Sequence, residues 1–158
     1  MTTPSFRRLA AAGLAALALC APLPAYEHFQ VAAYCRAQEV ARMTDTAWLE
    51  ARWQEVSSQV HLDKVYIETH RDDTLVSDEA IEAAKKFFLA HGVQVAGGIT
   101  FTVSEPNRFE TFSYSNPAHR EKVKRIAEHT AKHFDEFILD DFFFTSTKSV
   151  HDLAAKGD

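Results

Sequence analysis

From residue 30 onward, short apolar runs alternate with longer amphipathic runs along the chain. Runs rich in strand-forming residues predict β-strands, whereas apolar positions at helical spacing predict helices. The strand-like runs lie at 30–34, 65–67, 93–100 and 137–144. Alternating strands and helices are typical of α/β folds with a parallel sheet. We therefore predict four successive β/α units.

Local signals mark the ends of the predicted helices. Each helix is preceded by a residue whose side chain can accept a hydrogen bond from the first helical turn. These caps are Thr44 or Asp45, Ser77, Asn116 and Ser149. Pro117 suits the first position of the third helix, and Gly92 ends the second helix. The run at 137–144 is apolar at consecutive positions, which predicts a strand covered on both faces.

The first 25 residues have the layout of a secretory signal peptide. Two arginines precede an apolar run at 9–21, which ends in Pro-Leu-Pro-Ala. The run is shorter than the roughly 20 residues that span a bilayer, so we expect no permanent anchor. Residues 17–20 resemble a lipoprotein box, but Leu19 stands where a small residue is usual. We predict cleavage after Ala25 and a secreted or periplasmic protein without a lipid anchor.

Composition narrows the possible partners of the mature domain, residues 26–158. Cleavage removes two arginines and no acids, which changes the formal net charge from −5 to −7. An acidic protein repels phosphate backbones and anionic lipids, so we expect no nucleic-acid partner and no membrane association after cleavage. Cys35 alone remains, so no intramolecular disulfide can form. A hydrophobic content of 46% supplies the material for a core.

The spacing of the units points to a known architecture. Strand starts lie about thirty to forty residues apart, close to the repeat of a (β/α)8 barrel of ~250 residues. The segment from Asn116-Pro117 to Asp140-Asp141-Phe142 resembles the corresponding stretch of melibiase-type α-galactosidases and other barrels of the glycoside-hydrolase kind. This resemblance implies half of a TIM-type (β/α)8 barrel, the N-terminal half. It also implies that the C-terminal half of the barrel is missing from this chain.

The resemblance places Asp140 on the nucleophilic aspartate at the end of the fourth barrel strand. Those families usually carry a lysine two residues earlier, where this chain has Ile138. Glycosidases use two carboxyl groups across the scissile bond, and barrels place them at the C-terminal ends of strands. We predict that Asp140 and Asp141 are catalytic, with Asp140 carrying the chemistry and Asp141 supporting it. The structural alternative is a strand-end pair that meets Arg36 or Arg71 in a salt bridge.

Other polar and aromatic residues are candidates for contact with a carbohydrate. Most follow predicted strands and thus share one rim, while two lie in the loop at 103–115. The predicted substrate-binding residues are Tyr34, Arg36, Glu68, His70, Arg71, Phe109 and Tyr114. For Glu68 the alternative is an ordinary ion pair with Arg71. For the aromatic residues the alternative is that they cover the top of the third strand.

We predict no metal and no cofactor. His129 and His133 have the i, i+4 spacing that can grip a metal, but no metalloprotease pattern surrounds them and they lie away from the rim. Gly97-Gly98 lacks the spacing of a dinucleotide-binding loop. Cys35 is interpreted as a buried thiol.

The leading hypothesis is an exported barrel protein that hydrolyses O-glycosidic bonds with strand-end carboxylates. The alternative is a glycan-binding or structural barrel that has lost hydrolase activity. A receiver or flavodoxin-like domain is disfavoured by export and by the position of the acid pair, which in a receiver lies on the first strand.

Overall fold

The structure is a computed structural model, and it describes residues 29–140, 143–145 and 149–156. The predicted signal peptide and Asp141 lie outside these residues. The strands are β1 (Ala32–Cys35), β2 (Lys64–Arg71), β3 (Thr74–Leu75), β4 (Gln94–Ile99), β5 (Thr102–Ser104), β6 (Glu110–Thr111) and β7 (Phe137–Leu139). The helices are α1 (Ala37–Val40), α2 (Thr46–Ser57), α3 (Asp78–Ala90), α4 (Pro117–His133) and α5 (Val150–Lys156).

The main sheet has the strand order β1-β2-β4-β7, and all three of these pairings are parallel. The short strand β3 turns back and pairs antiparallel with the end of β2. The predicted α/β class with a parallel sheet is therefore confirmed. The described strands form an open sheet without barrel closure, so the half-barrel assignment stays a prediction.

The predicted helix caps act as expected. Asp45, Ser77 and Asn116 each accept a hydrogen bond from a backbone N–H in the first turn of α2, α3 and α4. These bonds satisfy donors that have no partner within the helix. Ser149 likewise accepts a hydrogen bond from the backbone of Asp152 at the start of α5.

One face of β1 and β2 carries the hydrophobic core. Ile67 of β2 is buried together with Val40 of α1, Leu49 of α2 and Ile81 of α3. Helix α4 packs very closely on β4 at Gly97. A Cβ atom at this position would lie 2.9 Å from side-chain atoms of three residues, Thr130, Phe134 and Phe137. The absence of a side chain at Gly97 therefore lets the helix lie against the strand.

The structure differs from the sequence prediction in several elements. Helix α1, strand β3 and the β5–β6 hairpin were not predicted, and β7 spans three residues instead of eight. The prediction that this strand is covered on both faces is wrong for its described residues, which are 36–41% exposed. They lie at the edge of the described sheet, where a strand has a neighbour on one side only. Within the described ranges, no helix is long and apolar enough to cross a membrane.

Candidate active site

A bulge near the end of β2 decides which side chains share the site. The register with β4 shifts between the pairs Glu68–Gly98 and His70–Ile99, so Thr69 is the extra residue. In a regular strand, residues three apart point to opposite faces. The bulge restores Arg71 to the face of Glu68, and its Nε lies 3.0 Å from both carboxylate oxygens of that residue. Bulges are common next to active sites because they redirect side chains in this way.

Glu68 is a fully buried carboxylate with 0% exposure. Its oxygens accept hydrogen bonds from the phenol of Tyr34 (2.9 Å), the backbone N–H of Ala37 (2.6 Å) and the hydroxyl of Thr100. The guanidinium of Arg71 adds the ion pair. A buried carboxylate costs several kcal/mol unless it is paired and hydrogen-bonded, and these donors meet that cost. The ion pair between Glu68 and Arg71, which the sequence analysis gave as the alternative for Glu68, is therefore present.

Arg71 connects three carboxylates. Its Nη2 atom lies 2.9 Å from Glu68 and 2.9 Å from Asp140, and its Nη1 atom pairs with Glu105. Burial opposes the charged form of Arg71, but hydrogen bonds and negative charge from Glu68 and Glu105 outweigh it and raise the pKa of the guanidinium. We call Glu68, Arg71, Glu105 and Asp140 the site cluster. The salt bridge between Arg71 and the strand-end aspartate is thus also present.

Asp140 directly follows β7 and faces the other members of the site cluster across β4, which lies between β7 and β2. Its Oδ2 accepts hydrogen bonds from Arg71 (2.9 Å) and from the hydroxyl of Thr100 (3.1 Å). Among the described residues, its Oδ1 has no hydrogen-bond partner. The side chain is 32% exposed. Asp140 therefore presents one tethered oxygen and one oxygen without a described partner at the C-terminal end of the sheet.

Glu105 is a member of the site cluster that sequence reasoning missed. It follows β5, and its two oxygens pair with Arg36 (2.7 Å) and with Arg71. Its backbone N–H donates to the carboxylate of Asp72. Only aromatic residues of this loop were predicted to be functional. Nothing in the spacing of its residues reveals that the β5–β6 hairpin brings Glu105 to Arg71 at the end of β2. Thr100, at the end of β4, was recognised as a strand-end residue without an assigned role.

Tyr34 reaches across the sheet because Gly98 leaves room for its ring. A Cβ atom at Gly98 would lie 2.7 Å from the phenol oxygen. Burial and the charge of Glu68 raise the pKa of Tyr34 above its ordinary value, so the phenol stays protonated and donates to that carboxylate. Tyr34, Arg36, Glu68, Arg71 and Asp140 are thus brought together as expected for residues at one rim.

His70 lies apart from the site cluster. Beyond the bulge it pairs with Ile99, and its ring centroid is 5.8 Å from that of Phe112. Its Nδ1 donates to the carbonyl of Thr100 at 2.8 Å. Burial lowers the pKa of His70, which favours the neutral ring. His70 is thus a buried imidazole packed against an aromatic ring, and its substrate-binding role stays a prediction.

The two predicted loop aromatics have different environments. Phe109 is half exposed and has a positive φ of 55°. Tyr114 lies with its ring centroid 5.5 Å from Phe143, and its buried hydroxyl has no hydrogen-bond partner among the described residues. The ring centroid of Phe143 also lies 6.1 Å from that of Phe101. The rings of Phe101, Tyr114 and Phe143 thus form an aromatic cluster that joins the loop to the segment after Asp140.

The interpretation of Cys35 as a buried thiol holds only in part, because the residue is half-buried. Its side chain contributes to an apolar cavity of about 230 Å³ between β1 and α2, lined also by Trp48, Trp53 and Phe88. Burial, with a smaller contribution from the charge of Glu39, raises the pKa of the thiol to about 12. Because the thiolate is the nucleophilic form, this environment disfavours covalent chemistry at Cys35.

Comparison with known proteins decides the family. A family model described as "Probable glycosyl hydrolase, catalytic domain" matches residues 19–158. The chain belongs to this family.

One curated relative of this glycosyl hydrolase domain is an uncharacterized protein of Saccharolobus solfataricus. It is 30% identical over 97 residues, which cover 57% of this chain and 16% of the relative. The matched region thus spans about a sixth of the relative's length. No solved structure matches the chain.

Proposed function

We propose that this domain hydrolyses O-glycosidic bonds and that Asp140 supplies the reacting carboxylate. The observation that carries the proposal is the contrast between Asp140 and the other acids of the site cluster. Glu68 has both oxygens engaged by donors and is buried, and Glu105 has both oxygens engaged by arginines. Asp140 alone combines solvent access with an oxygen that no described residue engages.

The surroundings of Asp140 suit this role. Arg71 and Thr100 hold Oδ2 by hydrogen bonds, which fixes the orientation of the carboxylate. Arg71 is itself held by Glu68 and Glu105, so the orienting group is rigid. Charge-assisted hydrogen bonds of this kind are short and directional. Oδ1 is thereby left facing the space in which a sugar would bind.

In a retaining reaction, Oδ1 of Asp140 forms a bond to the anomeric carbon while the bond from that carbon to the leaving oxygen breaks. A carboxylic acid donates its proton to the leaving oxygen, and water then releases the sugar from the aspartyl ester. We assign this acid to a part of the catalytic domain outside the described residues. In the inverting variant, Asp140 accepts a proton from the attacking water instead.

The exposed ring of Phe143 and the half-buried ring of Tyr114, which pack together beside the buried ring of Phe101, support sugar binding. Phe143 is 60% exposed and lies three residues beyond Asp140 in the chain. Flat apolar rings beside polar groups are the usual lining of ligand sites. We propose that Tyr114 and Phe143 contact the sugar ring and that Arg36 contacts its hydroxyl groups. The predicted support of Asp140 by Asp141 remains part of this proposal.

We further propose that the protein acts outside the cytoplasm. The support is the sequence pattern of residues 1–25, with its two arginines, apolar run and Pro-Leu-Pro-Ala exit. Sequencing the N-terminus of the exported protein tests the proposal, which requires Tyr26 at or near the start. Intact Met1 on protein from the cytoplasmic fraction would contradict it.

Hydrolysis is tested by assaying Asp140→Asn in the full-length protein on a panel of aryl glycosides. We expect a loss of turnover of at least about a thousandfold, because removing a nucleophile removes an interaction made in the transition state. The matched control is Asp135→Asn, the same substitution at an exposed position five residues earlier. It should leave turnover unchanged.

Two results would overturn the assignment. Full activity of Asp140→Asn would show that another carboxylate reacts. A wild-type protein that binds glycans in a titration but cleaves none of the panel would favour the alternative of a glycan-binding barrel without hydrolase activity. Circular dichroism of each variant checks that the fold is retained.

A further inference from the structure

A second group of charged side chains lies where the end of α4 meets the start of α3. Nε2 of His133 lies 2.9 Å from Oδ1 of Asp78, and Nδ1 of His129 lies 3.5 Å from the same oxygen. These three atoms are all within 4.8 Å of one another. Glu82, one turn after Asp78, contacts the other nitrogen of His133 at 2.8 Å. We call Asp78, Glu82, His129 and His133 the helix cluster.

The outer partners of both histidines fix which nitrogens face the centre of the helix cluster. Nε2 of His129 lies 2.8 Å from the carbonyl of Val76, which can only accept, so this nitrogen carries the hydrogen. Nδ1 of His133 likewise donates to Glu82. In the neutral rings, Nδ1 of His129 and Nε2 of His133 therefore direct their lone pairs toward Asp78. Metal-binding histidines characteristically donate their outer N–H to a carboxylate or a backbone carbonyl.

We propose that the helix cluster binds one divalent transition-metal ion of the zinc class through Asp78, His129 and His133. Around a tetrahedral ion with bonds of about 2.0–2.1 Å, ligand atoms are about 3.3 Å apart. The two distances to Oδ1, 2.9 and 3.5 Å, lie on either side of this value. Two imidazoles and one carboxylate are a donor set that suits zinc better than magnesium. Water completes the coordination.

A metal ion at this place replaces any proton between Nε2 of His133 and Oδ1 of Asp78, and that proton is released to solvent. Lys132 engages the second oxygen of Asp78, which leaves Oδ1 for the ion. The bound metal would join α3 to α4, the two helices that cover the sheet beside β2 and β4. The test of this metal site is independent of glycoside hydrolysis, because no residue of the site cluster takes part in metal binding.

The prediction of no metal at His129 and His133 rested on the missing metalloprotease pattern and on their distance from the rim. Their i, i+4 positions supply two ligands on one face of α4, and two ligands do not make a site. The third comes from Asp78, which is 55 residues from His133 in sequence. Only the packing of α3 against α4 brings the carboxylate to the imidazoles. The fold therefore supplies the ligand that spacing could not show.

Isothermal titration of the full chain with zinc chloride at neutral pH tests the proposal. We expect saturable binding of one ion per chain, with magnesium chloride giving no heat of binding. His133→Ala, His129→Ala and Asp78→Asn should each weaken zinc binding at least about tenfold, and Glu82→Gln should weaken it about 10–100-fold by releasing the ring of His133. The protein should carry no histidine tag.

His61→Ala is the matched control, because the side chain of His61 is 75% exposed and lies outside the helix cluster. It should leave the zinc affinity unchanged. The proposal fails if the wild type does not bind zinc saturably, if His133→Ala keeps the wild-type affinity, or if His61→Ala loses as much affinity as His133→Ala. Circular dichroism in the absence of metal shows which variants are folded. If His133→Ala is unfolded, the exposed Asp78→Asn decides the question.

Discussion

The site cluster and the helix cluster are both built from acids facing basic side chains, but they differ in burial. Glu68 and Arg71 lie inside the protein, whereas the Asp78 side chain is 52% exposed. A buried charge must be satisfied by the protein, since water cannot reach it. An exposed charge is solvated whether or not its partner is present. Similar ion pairs should therefore respond very differently to mutation.

The largest expected effect is at Arg71. Arg71→Met leaves Glu68 buried without its cationic partner, and breaking a buried pair in this way costs about 3–5 kcal/mol of unfolding free energy. Urea denaturation followed by circular dichroism measures it. The control is Arg36→Met, which removes an arginine that is 49% exposed and should cost about 0–1 kcal/mol. Equal losses in the two variants would show that burial does not separate them.

A smaller loss of unfolding free energy is expected at Gly97 and Gly98, two glycines of β4 on which side chains pack closely. In Gly97→Ala, the new methyl group meets Thr130, Phe134 and Phe137 at 2.9 Å, and overpacking of this kind costs about 1–3 kcal/mol. In Gly98→Ala, it meets the far end of the Tyr34 ring, which can move away. Denaturation should show the greater loss in Gly97→Ala. Glycosidase assays should show the greater loss of activity in Gly98→Ala, because the displaced ring of Tyr34 donates a hydrogen bond to Glu68. The reverse order in either assay would contradict the packing described.

Much of the fold was predictable because it depends on local signals. The caps at Asp45, Ser77 and Asn116 and the order of strands and helices follow from hydrogen-bonding side chains and apolar periodicity. The rim residues were predictable too, since parallel strands end on one edge. The β5–β6 hairpin was missed because its strands have three and two residues, too few for alternation to register.

The parts of the site that could not be predicted from the sequence depend on the register between strands and on tertiary contacts. A regular β2 would put Glu68 and Arg71 on opposite faces, and only the bulge at Thr69 brings them together. The same shift turns His70 away from Glu68, with which regular strand alternation would place it. Glu105 enters the site through tertiary contacts of the hairpin. No spacing within one segment encodes such contacts.

A third prediction concerns the residue that the bulge turns away from the site. Burial lowers the pKa of His70 below its ordinary value of 6.5. As pH falls through 6.5, the unfolded state binds a proton at this residue before the folded state does, so the free energy of unfolding decreases toward the lower folded pKa. His70→Gln should reduce this loss of stability. Urea midpoints at neutral and mildly acidic pH measure it, and an unchanged pH dependence in the variant would contradict the burial of His70.

The smallest effect is expected in the helix cluster, at Asp78. Hydrogen bonds from Lys132 and His133 lower the pKa of Asp78 from 3.8 to about 2. The folded state thus holds the ionised form more strongly than the unfolded state, and the resulting stabilisation is complete above pH 3.8 and lost as pH falls toward 2. In metal-free buffer, Asp78→Asn should make the urea midpoint less dependent on pH across this range. High salt should weaken the pH dependence of the wild type, because the side chain is exposed. Asp135→Asn, at another exposed position, should keep the wild-type profile. If Asp78→Asn were as destabilising at neutral pH as Arg71→Met, exposure would not distinguish the two clusters.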